Sequence, residues 1–346
     1  MFYDKIWINF VDYVSSFEPY AAYKEKLIGY FGNPAGKAPG FRTRSLDWYN
    51  PVSNRFKFNC GYRMCINVYL SCDHGCRYCY VNAYSGGVGK GRRRSKFIER
   101  LKQDITDFRS LVMPPGPVHI SNSTDPFQEG LEKRFRDTFN TLKILAENKA
   151  LFSEITILTK NPCLIFEDTG YVDHLELMKD KLNIEITIPF FRDNYRLYEP
   201  CAPHPHDRLD ALSKLAAMGF NVRLRLDPIF PVESGIQTKE DILNILDRSS
   251  GVQCVISKPL RLVIPKNSVA NEFFDEMNQF YQGGKQNGVE RRHTRYVYSA
   301  DRSIKEMKHL RDECVKRNIP LVHCMETVLV DQEGIPIIKR KLEPQR

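Results

Sequence analysis

Cys72, Cys76 and Cys79 stand in the run Cys-Asp-His-Gly-Cys-Arg-Tyr-Cys-Tyr, spaced by three residues and then two. That spacing lets one short loop aim three thiolates at one point, which suits three corners of a cubane [4Fe–4S] cluster. With only three local thiolates, the fourth iron stays open to bind something else. An open iron is a reactive site, so the loop suggests chemistry rather than electron storage. Two other readings stand beside it. Cys72, Cys76, Cys79 and His74 could make a Cys₃His zinc site, although structural zinc more often uses two well-separated CxxC-like pairs and none is visible. Buried structural thiols would not need Gly75 between two of them.

The elements that would position this loop follow a rhythm that starts near residue 64. Apolar runs at Cys65–Leu70, Val118–Ser121, Ile155–Thr159, Ile184–Ile188, Val222–Leu226 and Val252–Ser257 read as strands buried on both faces. Helix-like stretches lie between them: Ser95–Leu111, Leu131–Asn148, Tyr171–Lys181, His206–Met218 and Thr238–Asp247, with Gly219 a C-cap after the fourth. Asn161-Pro162 and Asp227-Pro228 mark turns after strands. Alternation of this kind predicts parallel βαβ units with right-handed crossovers. The expected fold is α/β, either a full eight-fold barrel or an open, partial (β/α)₆ TIM-like barrel, with six units clear in the sequence. Residues 1–58 form an irregular extension with a short helix near Tyr13–Tyr30, residues 59–265 the core, and 266–346 an α/β extension. The extension holds helices at Ala270–Tyr281 and Ser303–Arg317, a strand at Leu321–Cys324 and a hairpin turn near Asp331–Gly334. In parallel barrels the active site lies at the C-terminal ends of the strands. Polar groups recur there: the cysteine loop, Ser121-Asn-Ser-Thr-Asp125, Thr159-Lys160, Pro189-Phe-Phe-Arg192, Asp227 and Ser257-Lys258.

Composition sets outer bounds. The chain of 346 residues is 42% hydrophobic and 12% aromatic, enough for one large barrel or two ordinary domains. Its 51 basic and 42 acidic residues give +9, which permits a polyanionic substrate without demanding one. No apolar run reaches the ~18 residues of a membrane span, and the N-terminal residues do not read as a signal peptide. The ten cysteines are mostly scattered, which fits a reducing cytoplasm with one metal site.

The cysteine motif, with Tyr78 just before its last member, resembles the radical S-adenosylmethionine (SAM) superfamily. Together with Ser123-Thr-Asp-Pro-Phe-Gln128 and Ile157-Leu-Thr-Lys160, it is similar to the spore photoproduct lyase-like (DNA repair photolyase-like) branch over about residues 64 to 260. The resemblance implies a [4Fe–4S] cluster on Cys72, Cys76 and Cys79 whose unique iron chelates SAM. One electron from the cluster then cleaves SAM to methionine and a 5′-deoxyadenosyl radical that abstracts hydrogen from the substrate. It also implies a reductase or a flavodoxin- or ferredoxin-type electron donor. In that family the stretch after the second strand contacts the SAM amino group, so Ser123, Thr124 and Asp125 are candidates; their alternative is a helix N-cap. Lys160 could meet the SAM carboxylate or a substrate phosphate, and Tyr78 could pack on the adenine or be a core aromatic. One departure matters: spore photoproduct lyases carry a radical-quenching cysteine after the second strand, whereas Asn122 and Ser123 stand here. This departure counts against thymine-dimer repair, although a different cysteine, such as Cys163, Cys254 or Cys324, could donate the hydrogen.

Alternation in Val222-Arg-Leu-Arg-Leu-Asp227 puts Arg223 and Arg225 on one face and Leu224 and Leu226 on the other. An arginine inside a barrel needs an anionic partner, and the SAM carboxylate suits Arg225, or Asp227 pairs with it. Lys90-Gly-Arg-Arg-Arg-Ser-Lys96 is a basic run beside the cysteine loop that could grip nucleic acid or face solvent; Arg291-Arg-His-Thr-Arg295 is a second basic cluster. His204 and His206 read better as helix-capping residues than as metal ligands.

Overall fold

The computed structural model describes residues 7–9, 45–48, 64–83, 89–110, 115–121, 123–264, 271–292, 295–323 and 327–329. The helix expected near Tyr13–Tyr30, the turn near Asp331–Gly334, Asn122 and Cys324 lie outside them.

Two sheets form. The larger uses strands β1 (Trp7–Asn9), β2 (Leu46–Trp48), β3 (Met64–Ile66), β4 (Gly116–Ile120), β5 (Phe152–Thr159), β6 (Leu182–Thr187), β7 (Val222–Ile229) and β8 (Val255–Pro259). The smaller uses β9 (Leu262–Val263), β10 (Val289–Arg292) and β11 (Arg295–Tyr298); β12 (Leu321–His323) and β13 (Thr327–Leu329) return to the large sheet. Its order is β1-β13-β12-β8-β7-β6-β5-β4-β3-β2. Strands β3 to β8 and β12 run parallel, while β2, β13 and β1 are antiparallel at the two edges. The sheet does not close on itself: it is an open, partial TIM-like barrel. The strand expected at Leu321–Cys324 becomes a seventh parallel member beside β8.

Nine helices lie among the described residues: α1 (Phe97–Ser110), α2 (Glu129–Phe135), α3 (Asp137–Glu147), α4 (Thr169–Leu177), α5 (Tyr195–Tyr198), α6 (Pro205–Ala217), α7 (Lys239–Asp247), α8 (Asn271–Asn278) and α9 (Ala300–Lys316). Helix α1 buries Phe97, Leu101, Ile105 and Phe108, one stripe at helical spacing. Such stripes pack on the outward side chains of the strands, including Leu224 and Leu226, in one cluster that also takes in Met307, Leu310, Cys314 and Leu321. Arg223 and Arg225 therefore face inward, as the alternation predicts.

Sequence and structure differ at two points. The stretch Leu131–Asn148 is two helices, because Arg136 adopts φ +53° between them. Glu132 folds across this break, and its carboxylate accepts the amides of Thr138 and Phe139 at 2.9 Å each, which caps α3. Strand β7 also runs through Asp227-Pro228 to Ile229 instead of turning there; the irregular pairing with β8 between Leu226 and Ile229 absorbs the proline. Gly219, at φ +78°, ends α6 as expected, with Phe220 N bonded to Leu215 O. Among the described residues, no helix is long and apolar enough to cross a membrane.

Candidate active site at the strand ends

The cysteine loop leaves β3 and is held from three sides. Gln128, fully buried after β4, accepts the Asp73 amide on Oε1 at 3.0 Å and donates Nε2 to the carbonyls of Ser71 (2.7 Å) and Asp125 (3.0 Å). Gly89 N donates to Cys72 O, which fastens the incoming basic run. The third side is the segment after α5: Arg77 N donates to Tyr198 O, Cys201 N donates to His74 O, and Pro200 sits against Gly75. Gly75 takes φ +65°, a conformation that side-chain-bearing residues rarely adopt, so the loop needs glycine there.

The three thiols share one electrostatic environment. Burial raises the pKa of each, and Cys72 is raised further by Asp125, Cys76 and Cys79. Lys160 pulls the other way on Cys76 and Cys79. Buried thiols become thiolates beside a bound metal cation, so this donor set is one that a metal would complete. A zinc site completed by His74 fits less well. The donor atoms of Cys72, Asp73 and His74 do lie within 4.8 Å of one another. Both His74 nitrogens, however, face protein oxygens: Nδ1 is 3.3 Å from Cys201 O, and Nε2 is 3.1 Å from Asp125 Oδ2. Burial opposes a charge on this imidazole, but the Asp125 carboxylate outweighs it and raises its pKa.

Asp125 is a joint, not an open ligand. It accepts from Phe127 N at 2.9 Å, Thr159 Oγ1 at 2.8 Å and Lys160 N at 2.6 Å, besides meeting His74. Burial pushes its pKa up, but His74 and these donors hold it below the ordinary aspartate value. It thereby ties the loops after β3, β4 and β5 together. The N-cap alternative is not realised, since α2 begins only after Gln128. Ser123 bonds through both N and Oγ to Asn67 Oδ1 at 3.2 Å. Thr124 differs: its Oγ1 is buried with no partner among the described residues, and so is Oγ of Ser121. Ser121 also holds φ +61°, uncommon for a non-glycine residue and here at the end of β4. Sequence reading placed Ser121 in the polar run at the strand ends without singling it out, because nothing in its residue type announces a left-handed position.

Lys160 and Tyr78 converge on Glu199, a residue that sequence reading missed. The Tyr78 hydroxyl donates to Glu199 Oε1, and Lys160 Nζ lies 3.2 Å from the same atom. The Tyr78 ring packs edge-on against Phe230 and beneath Lys160 Nζ, so it is a core aromatic in this structure. Inside the barrel, Arg225 forks onto Asp227 (2.7 and 3.2 Å) and reaches Glu185 at 2.8 Å, while Arg223 binds Glu185 and Glu154 at 3.1 Å. The anion that Arg225 requires is thus supplied by the protein. Arg192 is a structural residue, bidentate on Asp241 in the capping box of α7. His204 caps α6 by accepting from His206 N, and its Nε2 meets Asp193. Cys254 precedes β8 and so lies at the end of the strand opposite the mouth.

The basic run divides as well. Arg93 is bidentate on Asp137, and Arg94 donates to Asn67 O, whereas Lys90, Arg92 and Lys96 face solvent.

No family model matches this chain. It is 29% identical over 174 residues to an uncharacterized protein of Methanocaldococcus jannaschii, and 27% identical over 193 residues to an uncharacterized protein of Acidianus two-tailed virus. These matches cover 49% and 53% of this chain and 62% and 60% of the curated relatives' own lengths. Solved structures of spore photoproduct lyase share the fold. A complex with dinucleoside spore photoproduct matches with TM-score 0.58 at 15% identity, covering 82% of this chain and 79% of that one. A mutant with bound AdoMet and dinucleoside spore photoproduct matches with TM-score 0.54 at 13% identity, over 75% of each chain.

Proposed function

We propose that this chain, built on the fold of spore photoproduct lyase, is a radical SAM enzyme. Cys72, Cys76 and Cys79 would hold a [4Fe–4S] cluster, and SAM would lie across the strand ends. When bound, these cofactors supply a 5′-deoxyadenosyl radical from one-electron cleavage of SAM, and this radical abstracts hydrogen from the substrate. The observation that carries the reading is the pair of unanswered buried hydroxyls, Ser121 and Thr124, at the mouth that also holds the three thiols. Buried polar atoms ordinarily find partners, so a pair left open at one rim points to a polar ligand.

The remaining residues then take distinct roles. Thr124 and Ser123 would meet the SAM amino group. Asp125 acts through others, fixing His74 and the Lys160 amide. Lys160 brings positive charge toward the SAM carboxylate. Arg225 is already balanced by Glu185 and Asp227 and shapes the inner wall. Tyr78 closes the cysteine loop on Glu199 and keeps water from it.

A nucleic-acid substrate, for lesion repair or modification, is favoured over a small molecule by the +9 charge and by solvent-facing Lys90, Arg92 and Lys96 next to the cysteine loop. The deciding experiment is anaerobic reconstitution followed by dithionite and SAM. Release of 5′-deoxyadenosine from protein holding about four irons and about four sulfides per chain is expected. A single zinc and no turnover would establish the non-catalytic, zinc-holding alternative.

A further inference from the structure

Glu199 gathers groups from three separate parts of the chain. Tyr78 comes from the cysteine loop, Lys160 from the turn after β5, and Arg208 from α6. Arg208 Nη2 lies 2.6 Å from Glu199 Oε2, and its Nε and Nη1 donate to the carbonyls of Pro203 and Thr187. Glu199 and Arg208 are both 0% exposed, and the Lys160 side chain is 15% exposed. A buried carboxylate is costly unless cations compensate it. Here two cations meet one anion, so the trio carries one surplus positive charge away from water. Tyr78 sits between Cys76 and Cys79 in the chain, and Lys160 Nζ is 5.5 Å from its ring centre.

We propose that Glu199 is a positioning residue that locks the Lys160 ammonium over the ring of Tyr78, which stands between two of the thiols, and that the charge of the Lys160–Glu199–Arg208 trio sets the midpoint potential of the iron–sulfur centre. The proposal rests on the reading that Cys72, Cys76 and Cys79 hold such a centre. One-electron reduction makes the centre more negative, and a surplus cation nearby favours that state, more strongly in a low-dielectric interior than in water. Neutralising Glu199 enlarges the surplus and raises the midpoint. Neutralising Lys160 removes the surplus and lowers it. A merely structural role would loosen the loop in both variants and move them the same way.

The test is an anaerobic potentiometric titration with dithionite, without SAM, followed by electron paramagnetic resonance. It uses the reconstituted full chain and its Glu199→Gln and Lys160→Gln variants. A midpoint above the unsubstituted protein for Glu199→Gln and below it for Lys160→Gln is expected. Shifts in the same direction, or no shift in Lys160→Gln, overturn the proposal. Should Glu199→Gln take up no iron, Lys160→Gln still decides: its midpoint must fall. Failure of the unsubstituted chain to take up iron defeats the functional reading instead, so the two failures are distinguishable.

Discussion

Thr124 and Cys76 show how much a single position can carry. The Thr124 hydroxyl costs the protein desolvation and gains no partner among the described residues, so removing it should not harm the fold. Thr124→Val is expected to leave the unfolding midpoint unchanged or slightly raised while weakening SAM binding about tenfold, the worth of one hydrogen bond to a charged group. Equilibrium binding to reconstituted protein checks this. Cys76→Ala should abolish the visible cluster absorption and lower bound iron; a fully loaded, active variant would refute the ligand assignment. Glu199 supplies a pH signature. Burial pushes its carboxyl up, but Arg208 and then Lys160 hold it down, from the ordinary 4.5 to about 2. Because the folded value is depressed, its stabilisation is fully present above about 4.5 and is lost as pH falls toward 2. Unfolding free energies measured between those limits should fall less steeply in Glu199→Gln than in the unsubstituted chain. The cysteine trio was legible at this scale because its spacing alone brings three thiols into one short loop. The role of Asp125 was not, because its residue type fits a ligand contact and a buried joint equally well, and only its four partners distinguish them.

The elements deliver these residues through loops that brace one another. Gln128 bridges the loops after β3 and β4 with three hydrogen bonds, two of them to the cysteine loop. Gln128→Leu keeps the volume but strands the Asp73 amide and the Ser71 carbonyl. It should lower the unfolding free energy by about 3 kcal/mol, from roughly 1–3 kcal/mol per buried unpaired group. Faster hydrogen exchange at the Asp73 amide would locate the loss in the cysteine loop. Strand periodicity revealed the core strands of the sheet because strands buried on both faces read as continuous apolar runs. The break at Arg136 stayed hidden, since the pattern Leu131–Asn148 remains helical in type. The break depends on Glu132 folding across to reach Thr138 and Phe139, and on Arg136 pairing with Asp168.

At the scale of the whole molecule, charge and core both reach across the chain. If Lys90 and Arg92 contact phosphates, replacing both with glutamine should reduce the salt-dependence slope of nucleic-acid affinity by about 2, at ~0.9 per contact. Arg93→Gln should act mainly on stability, because Arg93 is held by Asp137; anisotropy titrations across a salt series separate the two. Ending the chain at residue 265 would uncover the β8 edge and remove Met307, Leu310, Cys314 and Leu321 from the main core. Aggregation of that truncated form in size-exclusion chromatography is expected. What the sequence by itself determined was the thiol trio, the strand rhythm and the shared inward face of Arg223 and Arg225. Each of these follows from local spacing or period. Only the tertiary structure decided that Arg225 already has its anions, that Asp125 joins loops, and that Glu199 draws Tyr78, Lys160 and Arg208 together. Those facts depend on side chains distant in sequence meeting in space, where burial forces every charge to find a partner and so fixes which groups remain for a ligand.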